Sequence, residues 1–318
     1  MNPYQNPRRK SHPSVKYQRK RMKKRPHLAV LFILLCIIVW FAITLLASDS
    51  EQNEYSPSPY QTPASYHPPM PHQTPMPYQA YSQIFTFEHL ARISNDYLLL
   101  VNIDYAVPDH VAGNLVRISD YVNTLNPEML LNEDTLVMLR AMFDSAANIG
   151  FTQFRATQGF RTHEYQQELY NTMADTGLAA PPGHSEHQLG FAVDISYHGV
   201  NIGNSAQGSW LMDYSYRYGF ILRYPEHKTH ITNVPFEPWH YRYVGQPHAY
   251  FMTHNDLVLE EYIDYLRRNR EITVIFDGAE FTIFYVTVED EVLELPYGYS
   301  FWASHDNTGG IIVTAWRT

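Results

Sequence analysis

Leu28 to Ala47 reads LAVLFILLCIIVWFAITLLA, twenty residues without a charge. At ~1.5 Å per helical residue such a run reaches ~30 Å, the thickness of the hydrocarbon core of a bilayer. Ten basic residues lie between Arg8 and Arg25 with no acidic residue among them. Positive charge on that flank predicts a cytoplasmic N-terminus and an external position for everything after Ala47. The competing reading is a cleaved signal peptide, whose apolar core normally has ~7–15 residues and ends in an Ala-x-Ala-like site. This run is longer, and Leu45-Leu46-Ala47-Ser48 is a poor cleavage site. An uncleaved single-pass anchor in the cell membrane is therefore expected, with the folded part extracellular. A buried core helix does not suit flanks that are strongly basic on one side and rich in Pro and Tyr on the other.

The formal charge of −9 becomes −19 when the ten basic residues are set aside. The external part is thus acidic, which argues against nucleic acid as a partner. The basic tail suits the anionic headgroups of an inner leaflet. Cys36, the only cysteine, lies inside the apolar run. The external part must then be held by core burial and any bound metal, not by disulfides. After the run, the segment SPSPYQTPASYHPPMPHQTPMPYQ has no hydrophobic periodicity and reads as a semi-extended spacer. The predicted division is a basic tail at 1–27, a transmembrane anchor at 28–47, a Pro/Tyr-rich stalk at 48–84, a main domain at 85–268 and a small all-β appendage at 271–318. No heptad or other oligomer signal is present, so a monomer is expected.

Within the main domain, Asn132 can cap a helix with Leu136, Leu139, Phe143 and Ala147 on one face, stopped by Gly150. A strand over Phe151–Thr157 follows. Thr162 then caps a second helix carrying Tyr165, Leu169 and Met173, with Gly177 as its stop. From Leu189 the residues alternate. Leu189, Phe191, Val193 and Ile195 point one way, while Gly190, Ala192, Asp194 and Ser196, small or polar, point the other. That pattern suits a strand with one face on the core and the other beneath a site. Trp210, Leu211, Tyr214 and Tyr218 mark a third helix ended by Gly219. Strands are expected at Phe220–Tyr224 and His240–Val244, and a closing helix buries Leu259, Tyr262, Ile263 and Leu266. The fold class is α+β, a small antiparallel sheet with packed helices. In the last segment, period-two alternation and turns at Asp277-Gly278 and Asn307-Thr308-Gly309-Gly310 predict β structure. Its aromatic residues Tyr299, Phe301 and Trp302 are expected to pack inward instead of binding a ligand.

Chemistry concentrates in Ser185-Glu186-His187-Gln188-Leu189-Gly190-Phe191-Ala192-Val193-Asp194 and in Glu237-Pro238-Trp239-His240. Two imidazoles and a carboxylate make three metal ligands, which leaves a fourth zinc position open to water, and a second carboxylate is at hand as a base. The seven-residue step from His187 to Asp194 is weak evidence by itself, since a loop histidine and a turn-capping aspartate are commonplace. Pro238 lacks an N–H and biases Glu237 toward extended backbone. A bend there brings Glu237 and His240 to one wall while Trp239 is buried. His184 is a candidate partner for a ligand. Arg223 either orients a ligand carboxylate or pairs with an acidic neighbour.

The segments GFRTHEYQQELY, PPGHSEHQLGFAVDIS, YRYGFILRYP and FEPWHYRYVG, spanning Gln158 to Gly245, resemble the VanY-type D-alanyl-D-alanine carboxypeptidases. That group consists of zinc peptidases acting on peptidoglycan stem peptides. The resemblance implies a Zn2+ cofactor held by His187, Asp194 and His240, with Glu237 as the catalytic base. It implies that Arg161 anchors the substrate carboxylate, for which a planar guanidinium fork is suited, and that Ser185 helps hold the substrate. Gln158 stands where relatives usually have Ser, and is a candidate for the specificity pocket. The implied activity is removal of the terminal D-Ala from stem pentapeptides. An L,D-carboxypeptidase, an endopeptidase on wall peptides, or a non-catalytic zinc module that binds the wall are the alternatives. Glu237 argues against the last, since a module without turnover needs no base beside its metal.

Overall fold

The structure, a computed structural model, describes residues 82–109, 113–173, 179–198 and 202–317. The basic tail, the apolar run, nearly all of the stalk and the helix stop expected at Gly177 lie outside the described residues. Among those described, no helix is long and apolar enough to cross a membrane.

In chain order the elements are β1 (Ser82–Phe85), α1 (Phe87–Arg92), β2 (Leu115–Arg117), β3 (Leu130–Asn132), α2 (Glu133–Asn148), β4 (Phe154–Gln158), α3 (His163–Met173), β5 (Ala192–Tyr197), α4 (Ala206–Tyr214), β6 (Phe220–Leu222), the single turn α5 (Thr229–Thr232) and β7 (His240–Tyr243). Helices α6 (Gln246–His254) and α7 (Leu259–Asn269) lead into β8 (Glu271–Phe276), β9 (Ala279–Thr287), β10 (Leu293–Pro296), β11 (Tyr299–His305) and β12 (Gly310–Arg317). The class is α+β, built on small antiparallel sheets.

The site rests on a four-stranded antiparallel sheet of order β4-β5-β7-β6. Its register sets Gln158 opposite Asp194 and Asp194 opposite His240, a row of three polar residues across neighbouring strands. Val193 and Ile195 face the other way, into a core with Leu139, Met142 and Phe143 of α2. The alternation read from the sequence therefore holds, although the strand begins only at Ala192. Gly190 has φ +79°, which breaks extended backbone just before it.

Helix α2 starts where expected, with Asn132 Oδ1 accepting from the amides of Asp134 and Thr135 at 3.0 and 3.2 Å. Its buried face runs through Leu136, Leu139 and Phe143 to Ala146, and Ala147 is exposed. A step of three residues after Phe143 keeps the stripe on the core, while a step of four drifts off it. Thr162 Oγ1 accepts from Tyr165 N at 3.1 Å at the head of α3. Tyr165 itself is exposed, and Gln166 is the buried residue of that helix. The reason is that α3 borders a cavity, so Leu169 and Met173 line that cavity and do not join the core.

The second four-stranded sheet has order β11-β12-β9-β8 and is covered on both faces. Ile283, Tyr285 and Ile312 pack against α6 and α7 and against Leu98 and Leu100. Val286, Ile311, Val313 and Ala315 pack against Leu90 of α1 and Leu295. Strand β1 pairs with β10, so the start of the described chain is tied to its last third. Phe301 meets Phe85, and Trp302 meets Tyr97 and His248, all edge-to-face, so these aromatics pack inward.

Candidate active site

His187 lies in a 3-10 turn, Glu186–Leu189, that closes on Gly190. A Cβ at Gly190 would come within 2.7 Å of Leu115 Cδ2. His187 Nδ1 is 2.8 Å from the Gly159 carbonyl, which can only accept, so Nδ1 carries the hydrogen. That leaves the lone pair of Nε2 facing Asp194 Oδ1 at 3.3 Å. Gly159 can approach because it has no side chain; a Cβ there would stand 2.6 Å from the Leu130 carbonyl. On β7, His240 Nε2 faces Glu186 Oε2 at 3.4 Å, and its Nδ1 is 3.0 Å from Asp194 Oδ1.

His187, Asp194 and His240 are all buried, and one ligand atom from each lies within 4.8 Å of the others. The outer hydrogen bonds fix which nitrogen each ring presents: Nε2 of His187 and Nδ1 of His240. Partners of this kind orient metal-binding histidines. Two imidazole nitrogens and a carboxylate oxygen suit a catalytic zinc site with an open position. The residues present therefore fit a zinc ion.

The electrostatics agree. Burial works against the Asp194 carboxylate, yet His187 and His240 hold its pKa well below the ordinary range. Burial pushes His187 down to about 4, with the Arg161 charge adding to it. Burial opposes the charge on His240, but hydrogen bonds to Asp194 and Glu186 raise it to about 9. A cation between the ligands takes over the role of that proton in balancing Asp194.

A cavity of about 500 Å³ opens over these residues. Glu237 lines it, 8% exposed, with Oε2 at 3.9 Å from His240 Nδ1. Burial pushes Glu237 up to about 7, against the pull of the His240 charge, a value suited to a base working near neutrality. Arg161 also lines it, its NH2 group 3.5 Å from Asp194 Oδ2 and its NH1 group 3.3 Å from Gln166 Oε1. Its Nε is buried with no hydrogen-bond partner among the described residues. Ser185 and Gln158 line the same cavity, as do Tyr224 and Trp239. All seven residues singled out in the sequence thus border one space.

Sequence reasoning missed Glu186. Its side chain is fully buried, with Oε1 at 2.8 Å from Arg223 Nε and 2.9 Å from an Arg242 NH1. Of the two options left open for Arg223, the structure chooses the acidic pairing: it also grips Glu260 at 2.7 and 2.9 Å. His184 also lines the cavity, with its Nδ1 2.8 Å from the Asn102 carbonyl. A buried acid between Ser185 and His187 was visible in the chain, but its partners lie far off in sequence.

The family model described as VanY, D-alanyl-D-alanine carboxypeptidase, matches residues 128–246, the stretch that holds every residue of the site. A D-alanyl-D-alanine carboxypeptidase of Enterococcus faecium is 34% identical over 225 residues, covering 68% of this chain and 74% of that protein. The bifunctional D-Ala-D-Ala dipeptidase and D-Ala-D-Ala carboxypeptidase VanXYC of Enterococcus gallinarum is 36% identical, over 50% of this chain and 86% of its own. Among solved structures, the vancomycin resistance D,D-dipeptidase VanXYg in complex with a D-Ala-D-Ala phosphinate analog matches with a TM-score of 0.65 at 28% identity. That match covers 74% of this chain and 99% of the other. The common motif order, the shared fold and the extent of the Enterococcus faecium match together place the chain in the VanY family of D-alanyl-D-alanine carboxypeptidases.

Proposed function

We propose that the chain is a zinc D,D-carboxypeptidase that removes the terminal D-Ala from peptidoglycan stem pentapeptides. The observation that carries this reading is the convergence of His187, Asp194 and His240 in a cavity that Glu237 and Arg161 also line. Zinc, when bound, supplies a Lewis acid that acidifies water and polarises a carbonyl. Arg161 pairs with the free carboxylate of the substrate, and its unpartnered Nε and fork geometry suit that task. Ser185 and Gln158 flank the peptide. Glu237 takes a proton from the attacking water as its oxygen bonds to the scissile carbonyl carbon. The C–N bond then breaks, and Glu237 passes the proton to the nitrogen of the departing D-Ala. We further infer that this happens outside the cell, with Leu28–Ala47 as the anchor and the Pro/Tyr-rich segment as the spacer.

The test uses the purified zinc-loaded protein with L-Ala-γ-D-Glu-L-Lys-D-Ala-D-Ala and the matching tetrapeptide, with products read by mass. Loss of one D-Ala from the pentapeptide alone, abolished by chelator, is the expected result. Cleavage of the tetrapeptide instead would move the specificity to L,D.

A further inference from the structure

We infer that Glu186 is a positioning residue for His240, clamped by Arg223 and Arg242, and that Glu260 of α7 completes the clamp. The inference rests on the zinc reading above. Glu186 divides its two oxygens between two tasks. Oε1 accepts a hydrogen bond from Arg223 Nε at 2.8 Å and lies 2.9 Å from Arg242 NH1, an ion pair without hydrogen-bond geometry. Oε2 is left to face His240 Nε2 at 3.4 Å. With Oε1 hydrogen-bonded to Arg223 and paired with the Arg242 charge, Oε2 is left toward His240.

Each arginine is itself anchored. Arg223 presents its remaining NH groups to both oxygens of Glu260 at 2.7 and 2.9 Å. Arg242 donates to the carbonyls of Tyr97 and Leu99 at 2.9 and 3.0 Å. Both arginines are 0% exposed. Burying two arginines with two acids brings little net stability, because the desolvation cost offsets the attraction. Stability alone therefore does not account for the cluster, while control of an imidazole does. Holding the Nε2 hydrogen of His240 leaves Nδ1 for the metal. Without Glu186 the Nε2 hydrogen of His240 loses its acceptor, and the preference for presenting Nδ1 weakens.

A consequence concerns the rest of the chain. His240, Glu186, Arg223 and Glu260 form an unbroken line from β7 to α7. Helix α7 packs on the C-terminal sheet, and Tyr97 and Leu99 precede the catalytic segment. Structure on both sides of the motif region thus reaches the metal ligand through two arginines.

The test compares Glu186→Gln and Glu260→Gln with the wild type, each as the full-length chain. The readouts are zinc affinity by chelator competition, the visible spectrum of the cobalt-substituted protein, and kcat separately from KM. Glu186→Gln is expected to bind zinc about 10–100-fold more weakly, with an altered cobalt spectrum and a loss in kcat larger than the change in KM. Glu260→Gln is expected to shift affinity and spectrum in the same direction by less. A folded Glu186→Gln protein with wild-type zinc affinity and cobalt spectrum overturns the inference. If Glu186→Gln fails to fold, Glu260→Gln decides, since Glu260 lies at the partly exposed end of the clamp: unchanged affinity and spectrum overturn it, and a shift in both upholds it. Failure of the zinc reading is distinct, because the wild type would then hold no stoichiometric zinc.

Discussion

Glu237 stands 3.9 Å from His240 Nδ1 yet supplies no atom to the cluster of three ligands. Replacing it with glutamine removes a base and keeps the side-chain volume, so chemistry and metal binding should separate. Glu237→Gln is expected to lower kcat by about 10²–10⁴-fold, the range for general-base catalysis, while zinc stoichiometry and KM stay close to wild type. Steady-state kinetics with parallel metal analysis check this, and a variant that retains most of its kcat would remove Glu237 from the proton path. At this scale the sequence was informative where residues act through type and local order. His187, Asp194, Glu237 and His240 stand out by residue type in two short segments, and the family resemblance supplies their roles as ligands and base. Glu186 could not be read the same way. Its significance comes from Arg223 and Arg242, which register and helix packing bring to it and which no local spacing encodes. The choice of ring nitrogen is likewise set by the Gly159 carbonyl, 28 positions away from His187.

The turn Glu186–Leu189 and strand β5 are two elements joined by one glycine, and their geometry delivers His187 and Asp194 to the same point. Gly190 adopts φ +79°, and its missing Cβ makes room for Leu115 Cδ2. A side chain here meets both backbone strain and a close contact. Gly190→Ala is expected to cost at least ~1–2 kcal/mol from the left-handed conformation alone. Its thermal midpoint should fall, and zinc affinity should fall with it, because His187 hangs from the strained turn. Calorimetry with and without zinc measures both, and an unchanged midpoint would mean that the turn relaxes freely. Helix α2 and helix α7 were legible because their apolar stripes face cores: Leu136, Leu139 and Phe143 in one, Leu259, Tyr262, Ile263 and Leu266 in the other. Helix α3 was legible in extent but not in orientation. Its inner face borders a cavity lined by Leu169 and Met173, so apolar periodicity does not point to a core there. Gln158 illustrates the same limit in a strand. Only the bulge near Ala156 and the cross-strand register bring it opposite Asp194.

On the scale of the whole described unit, His248 is where three separate elements are joined. It sits on α6, with Nδ1 2.6 Å from the Tyr262 hydroxyl of α7, Nε2 2.8 Å from the Thr314 hydroxyl of β12, and the Trp302 ring 4.9 Å away. Local spacing assigns this histidine no role, because its partners lie 14 and 66 positions away in the chain. A neutral imidazole offers one donor and one acceptor, matching two hydroxyl groups. Burial strips water from a charged imidazole and lowers the pKa of His248 to about 3. In the unfolded chain it returns to ~6.5. Between these values the unfolded state binds a proton that the folded state refuses. The stability associated with neutral His248 is therefore complete above pH ~6.5 and is lost progressively as pH falls toward 3. Down to pH 5 the loss amounts to roughly 2 kcal/mol. His187 titrates in the same direction, so the comparison that isolates His248 is with His248→Gln, whose amide offers a donor and an acceptor without taking up a proton. The variant should start from a lower midpoint at pH 7.5, because its fit to Tyr262 and Thr314 is poorer. It should then lose less stability than the wild type between pH 7.5 and pH 5, with the two curves converging by several degrees. Parallel thermal melts across that range decide the matter. Curves that run parallel would show that the junction between α6, α7 and the C-terminal sheet accommodates a charged imidazole.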